Sequence, residues 1–222
     1  MDGVHDMGGM HGFGAVVKPG GELPYHEPWE PRAFAIQMLV NLERLGAGPG
    51  GRPVREEMEP AHYLAASYYE RWVFSAERRL ARKGTIADGD VELMIDRLAA
   101  GEPAPEHHDS EMGRRAVQRL RGDNPMRPPP EDARFAAGDR VRVRRMHPPL
   151  HTRCPRYVRG ATGVVERVHG ADPLPDRAVY GEQTEPEAVY GVAFASQELW
   201  GPGGEPPWTV MVDLWDSYLD PA

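Results

Sequence analysis

Residues 135–145 read FAAGDRVRVRR and mark the point at which the periodicity of the chain changes. Val141 and Val143 alternate with arginines after an Ala-Gly-Asp turn, which is the period of two expected of a half-buried β-strand. Further strand patterns follow, separated by residues that favour turns: 163–168, 189–194 and 208–214. We therefore predict a small antiparallel β-barrel over residues 134–222.

The residues before this point show a helical period instead. One apolar stripe runs over residues 31–46, and a second helix is predicted over residues 60–83. A third helix is predicted over residues 90–100, and a short one over residues 112–121. Together these patterns predict an α-helical domain over residues 31–123.

Two segments show no sustained period. Residues 1–30 are rich in glycine, and we expect an extended arm that wraps on a partner protein. Residues 124–133 are rich in proline and are predicted to link two domains. The predicted fold class is α+β, with the arm and the helical domain preceding the barrel.

The composition bounds the class of protein. The chain has 222 residues, of which 40% are hydrophobic, so it can bury a core. It has no apolar run of about 20 residues and no secretory start, so we expect a soluble, cytoplasmic protein that does not enter a membrane. Cys154 is the single cysteine, and no two histidines sit four apart with an acid between them. We expect no disulfide and no metal site within this chain.

The charge is acidic overall but uneven along the chain. The formal net charge is -8, which argues against general nucleic-acid binding. Residues 140–159 nevertheless contain seven arginines and no acid. This basic segment predicts a local site for an anion or an acidic partner. Nucleic-acid binding by the same segment is the least favoured alternative.

Single residues carry weaker signals. Arg153 flanks Cys154, which makes a reactive thiol conceivable, but we favour a passive cysteine because no motif supports the reactive one. From its position in the sequence alone, Arg52 is expected to be an arginine on the surface. Tyr68 and Tyr69 fall within the second predicted helix, where core packing with one phenol near water is expected.

Five stretches of the sequence, taken together and in their order along the chain, resemble the β subunit of nitrile hydratase. They are MDGVHDMGGM at 1–10, Tyr68-Tyr69 followed by Trp72, HTRCPRYVRG at 151–160, FASQELWG at 194–201, and VDLWDSYL at 212–219.

The resemblance implies an αβ heterodimer, often paired further into α2β2, that hydrates nitriles to amides. In that family the α subunit binds Fe(III) or Co(III) through cysteines, two of which are oxidised, and the β subunit binds no metal. By position, the two family arginines that hydrogen-bond the oxidised cysteines are Arg52 and Arg153, and a family tyrosine at the site is Tyr68. The resemblance places Trp72 and Tyr69 in the substrate pocket and implies that the barrel is SH3-like.

The chemistry suits these residue types, because sulfinate and sulfenate oxygens accept hydrogen bonds from the planar fork of a guanidinium. There are also departures from the family. The loop at 46–51 is rich in glycine and proline where bulky apolar residues are common, and Arg71 replaces a common histidine. Arg55 is a near neighbour that could be confused with Arg52. Pocket shape and the preferred nitrile are therefore left open.

Two related functions are weighed beside this one. The first is a metallochaperone-like accessory protein for the α subunit, which would resemble mainly the helical half. The second is a subunit of a thiocyanate hydrolase, in which the two halves are separate chains.

Overall fold

The computed structural model describes residues 2–10, 12–15, 25–106, 109–122, 127–202 and 207–222. The chain divides into a helical unit, Ala15–Asp123, and a sheet unit formed by Met1–Gly14 together with Asn124–Ala222. The start of the predicted arm thus belongs to the same compact unit as the strands. The domain boundaries drawn from the sequence stay predictions, and the predicted linker begins in residues outside the described ones.

Six helices make up the described part of the helical unit: α1 (Glu30–Leu42), α2 (Gly51–Arg55), α3 (Pro60–Ala65), α4 (Tyr68–Lys83), α5 (Asp90–Ala99) and α6 (Ser110–Arg121). Both α1 and α2 pack against α4. Polar side chains, Gln37, Ser75 and Arg79, are buried in this unit beside small apolar ones. Among the described helices, none is long and apolar enough to cross a membrane.

The helix predicted over residues 60–83 is two helices, so that prediction was wrong at its centre. Ala66 is extended, and α4 begins anew after Ser67. The Ser67 hydroxyl accepts from the Glu70 amide, and the Glu70 carboxylate accepts from the Ser67 amide at 2.6 Å. This reciprocal capping box starts a helix. Tyr68 therefore lies in the first turn of α4, not mid-helix.

Five strands form one antiparallel sheet: β1 (Arg140–Val143), β2 (Thr162–Asp172), β3 (Glu187–Ala195), β4 (Thr209–Trp215) and β5 (Leu219–Pro221). Their order is β4-β3-β2-β1-β5. Two short helices, α7 (Pro175–Ala178) and α8 (Ser196–Trp200), flank β3 along the chain. The strand patterns read from the sequence are confirmed in β1 to β4, while β5 was not predicted. Val141 and Val143 point into the core and Arg140 and Arg142 away from it.

The predicted SH3-like barrel is not confirmed. Closure needs hydrogen bonds between the two edge strands, and among the described strands β4 pairs only with β3 and β5 only with β1. The last strand has three residues and ends in Pro221, which has no amide hydrogen to donate. Register shifts near Val165 and Val168 mark irregularities in the β2–β3 pairing. The observed architecture is an open antiparallel sheet.

The core of the sheet unit is a cluster of buried side chains packed on these strands. Its buried members come from every strand and from the loop before β2, and the largest are Tyr190, Tyr218, Phe194, Leu214 and Leu219. Cys154 and Val158 belong to the same cluster. The loop at 151–160 is therefore packed against the sheet and is not a solvated excursion.

Replacing Ser67 by Ala removes the side-chain half of the capping box and is expected to destabilise α4 by about 1 kcal/mol. A lower melting temperature in calorimetry would report this loss. Ser110→Ala is the matched control, because Ser110 also opens a helix but Asp109 supplies the cap there. Equal effects of the two substitutions would contradict the assignment.

Candidate functional site

An aromatic cluster surrounds the start of α4. The ring centroid of Tyr68 lies 5.1 Å from that of Tyr69 and 5.5 Å from that of Trp72, and the last two rings are 5.7 Å apart. Tyr25 and Phe34 join them, at 5.5 Å from Tyr69 and 5.8 Å from Trp72. The structure thus brings three predicted residues together with two that the sequence did not single out. Tyr68 is 62% exposed, so its phenol is accessible in this unit.

The two neighbouring arginines of α2 have different surroundings. The Arg52 side chain is 54% exposed, and its Nε lies 3.6 Å from the buried carboxylate of Glu56. The guanidinium of Arg55 lies over the Trp72 ring, 5.3 Å from its centroid, as a cation–π contact. Burial, and next the charge of Arg52, lower the pKa of Arg55. Arg55 is therefore part of the aromatic cluster, whereas Arg52 presents its charge to the outside.

The backbone that carries Arg52 is anchored by buried polar groups. The Ser75 hydroxyl donates to the Gly51 carbonyl at 3.0 Å. A Cβ at Gly51 would lie 2.9 Å from Gln37 Nε2 and 3.1 Å from Ser75 Oγ, so a larger residue here would require these buried side chains to shift. The Gln37 amide donates in turn to Asn41 at 3.1 Å. The start of α2 is thus held against α1 and α4.

Arg153 lies in the sheet unit, in the loop between β1 and β2. Its side chain is exposed, while His151 and Cys154 on either side are buried. Its backbone amide donates to the phenol of Tyr218 at 3.2 Å, and the Cys154 amide donates to the hydroxyl of Thr152 at 3.1 Å. Arg153 is therefore an exposed residue on a backbone that two side-chain hydroxyls hydrogen-bond.

Cys154 is a passive member of the core. It is 1% exposed, and burial raises the pKa of its thiol to about 12. The thiolate is the nucleophilic form of cysteine, so a buried thiol with a raised pKa is inert. The structure therefore supports the interpretation of this residue as structural.

The basic segment at 140–159 is partly neutralised within the chain. Arg144 pairs with Asp220 at 2.9 Å, and Arg159 pairs with Asp2, which comes from the other end of the sequence. The segment therefore offers an anion less positive charge than its seven arginines indicated.

These features describe a chain that offers exposed arginine and tyrosine side chains on anchored backbones, groups suited to binding anionic or polar oxygen atoms. Within the described residues, no group of three or more histidine, cysteine or acidic side chains could hold a metal ion.

Comparison with known proteins finds one family that matches most of the chain. The family of the nitrile hydratase β subunit matches in both parts, its N-terminal region over residues 1–118 and its C-terminal region over residues 124–221. The nitrile hydratase subunit beta of Pseudomonas putida is 34% identical, with 100% of each chain covered. The cobalt-containing nitrile hydratase subunit beta of Pseudonocardia thermophila is 35% identical, with 99% of this chain and 96% of that one covered.

A more partial similarity exists to the thiocyanate hydrolase subunit alpha of Thiobacillus thioparus. It is 34% identical over 68 residues, which cover 31% of this chain and 54% of that one. The full-length matches decide between the two families, and the chain belongs to the nitrile hydratase β-subunit family.

We expect Cys154 to resist alkylation in the folded protein. With a pKa of about 12 the thiolate fraction at pH 8 is on the order of one in ten thousand, and burial also excludes the reagent. Mass spectrometry after iodoacetamide treatment should show an unmodified native chain and a fully modified chain in guanidinium chloride. Rapid labelling of the native chain would refute the assignment.

Proposed function

We propose that this chain is the β subunit of a nitrile hydratase, a hydro-lyase that converts nitriles to amides as a complex with an α subunit. The observation that carries the proposal is the match of both parts of the family, in order, over nearly the whole chain. The accessory-protein alternative is disfavoured by the match over residues 124–221, since such a protein would resemble mainly the helical half.

In this proposal the α subunit binds Fe(III) or Co(III), in an αβ or α2β2 assembly. Relatives from Pseudonocardia thermophila and Rhodococcus rhodochrous are named cobalt-containing, which supports a metal of this kind in the complex. When bound, the metal would supply Lewis-acid chemistry for the hydration of the nitrile, or an oxidised cysteine of the α subunit would supply the nucleophile.

Arg52 and Arg153 are proposed to donate hydrogen bonds to the oxidised cysteine oxygens of the α subunit. Their fit to that task rests on two observations. Both side chains are exposed, at 54% for Arg52. Both backbones are anchored, through Gly51 for one and through the Arg153 amide for the other. A planar guanidinium on a fixed backbone binds anionic oxygens with little loss of conformational freedom.

The aromatic cluster is proposed to form the part of the substrate pocket that this chain contributes. Tyr69 and Trp72 supply apolar ring surface, and the exposed phenol of Tyr68 orients water or the substrate by hydrogen bonding. The guanidinium of Arg55 over the Trp72 ring limits the movement of the indole. This arrangement favours nitriles that can contact aromatic surface.

Thiocyanate hydrolysis is the second candidate function, and the partial similarity to a thiocyanate hydrolase subunit supports it. Thiocyanate is an anion with a carbon–nitrogen triple bond, so exposed arginines suit it too. Assays with thiocyanate and with a neutral nitrile on one preparation distinguish the two functions.

We expect the purified chain to be inactive alone and active with the α subunit encoded by the same organism. The reason is that the proposed chemistry needs a metal held by the partner. Amide formation from acrylonitrile, followed by absorbance, is the measurement. Full activity of the isolated chain would refute the proposal.

Arg52→Lys and Arg153→Lys should each lower kcat of the complex by at least about tenfold, because lysine keeps the charge but loses the bidentate fork. Metal content and cysteine oxidation must be unchanged in each variant for the comparison. Arg156→Lys is the matched control, since Arg156 is also exposed and lies in the same loop as Arg153. Wild-type rates in both test variants would show that the site assignment is wrong.

A further inference from the structure

The Arg159 side chain is buried in the sheet unit and lies at the end of the loop that carries Arg153. It is 4% exposed. Its Nε and Nη2 both donate to the Cys154 carbonyl, at 3.1 and 2.9 Å, and its Nη1 donates to the Met146 carbonyl at 2.9 Å. One guanidinium therefore ties together the two ends of the loop and the carbonyl of the residue after Arg153.

Two acids from the start of the chain complete this arrangement. Asp2 accepts from Arg159 Nη1 and also lies 2.7 Å from His147 Nδ1. Asp6 lies 3.8 Å from Arg159 Nη2 and accepts from the Arg156 amide at 2.8 Å. Each carboxylate thus contacts both the buried guanidinium and a second group of the loop.

The carboxylate of Asp2 is ionised over the whole neutral range. The hydrogen bond with His147, followed by that with Arg159, lowers the pKa of Asp2 to about 2. A buried guanidinium needs such a counter-charge, because an unpaired charge is costly to remove from water.

Packing holds the same segment in place. A Cβ at Gly8 would overlap the ring of Tyr157, and one at Gly9 would lie 3.2 Å from the indole nitrogen of Trp200. Gly9 also has φ +75°, a conformation that favours glycine. The glycines of this motif therefore allow the backbone of residues 2–10 to pack closely against the loop at 146–160.

We propose that residues 2–10 are a positioning element for Arg153, with Asp2 and Asp6 acting on the loop through Arg159. This inference rests on the proposed function of Arg153. It assigns a task within the chain itself to the MDGVHDMGGM motif, and the arm that wraps on a partner stays a prediction. Asp2, Asp6 and Arg159 are positioning residues that act through the backbone next to Arg153.

The test uses the αβ complex with Asp2→Asn, alone and in an Arg153→Lys background. Loss of the carboxylate should lower kcat for acrylonitrile by about tenfold, because a displaced group loses its alignment with the reacting atoms. In the Arg153→Lys background the same substitution should cause no further decrease, since residues that act as a unit are not additive. Hydrogen–deuterium exchange of residues 151–159 should be faster in Asp2→Asn.

Two further variants sharpen the result. Asp220→Asn is the control, because it also breaks an arginine–aspartate pair of the sheet unit, the one with Arg144. It should leave both kcat and the exchange of residues 151–159 unchanged. Arg159→Lys keeps the buried charge but cannot reach both carbonyls and Asp2 at once, so it should reproduce the effects of Asp2→Asn.

Unchanged kcat and unchanged exchange in Asp2→Asn would overturn the proposal. So would an equal loss of activity in both backgrounds, which would indicate a general structural effect. A wild-type complex that hydrates no nitrile would instead refute the proposed function. In that event the exchange rates decide by themselves whether residues 2–10 order the loop.

Discussion

The burial of one guanidinium, that of Arg159, is the constraint on which the sheet unit depends. A charge that is 4% exposed must be paired and hydrogen-bonded to be tolerated. Two carbonyls of its own loop satisfy part of this requirement, and Asp2 and Asp6 satisfy the rest. Because these acids precede the whole helical unit in sequence, the sheet unit is complete only with the first residues of the chain. The sheet unit therefore contains two segments that lie far apart in the sequence.

The helical unit applies the same physical principle in another form. Buried polar side chains contact the start of α2: Ser75 donates to the Gly51 carbonyl and Gln37 packs against Gly51. In both units an exposed arginine lies on a backbone that hydrogen-bonds with a buried side chain, Ser75 in one and Tyr218 in the other. Since ordering a loop costs conformational entropy, a backbone that is ordered in advance favours binding. This is the physical basis on which Arg52 and Arg153 are proposed as ligands for anionic oxygens.

Much of the secondary structure was predictable because its signals are local. The alternation of Val141 and Val143 gave β1, and the helical periods gave α1, α5 and α6 within a few residues. The break between α3 and α4 was also present in the sequence as a Ser-x-x-Glu capping box, but the apolar period across residues 60–83 concealed it. By contrast, β5 and the open edge of the sheet depend on pairing between distant strands, which periodicity does not report.

For the site, the sequence by itself determined which residue types are available and, through five matching stretches, the family to which they belong. Only the tertiary structure decided how each is used. It buried Cys154, placed Arg55 over Trp72 while leaving Arg52 exposed, and paired Arg159 with Asp2 while leaving the Arg153 side chain exposed. Neighbouring arginines thus have different surroundings, because burial and charge pairing depend on groups that are far apart in the chain. A motif records only the order of residues along the chain.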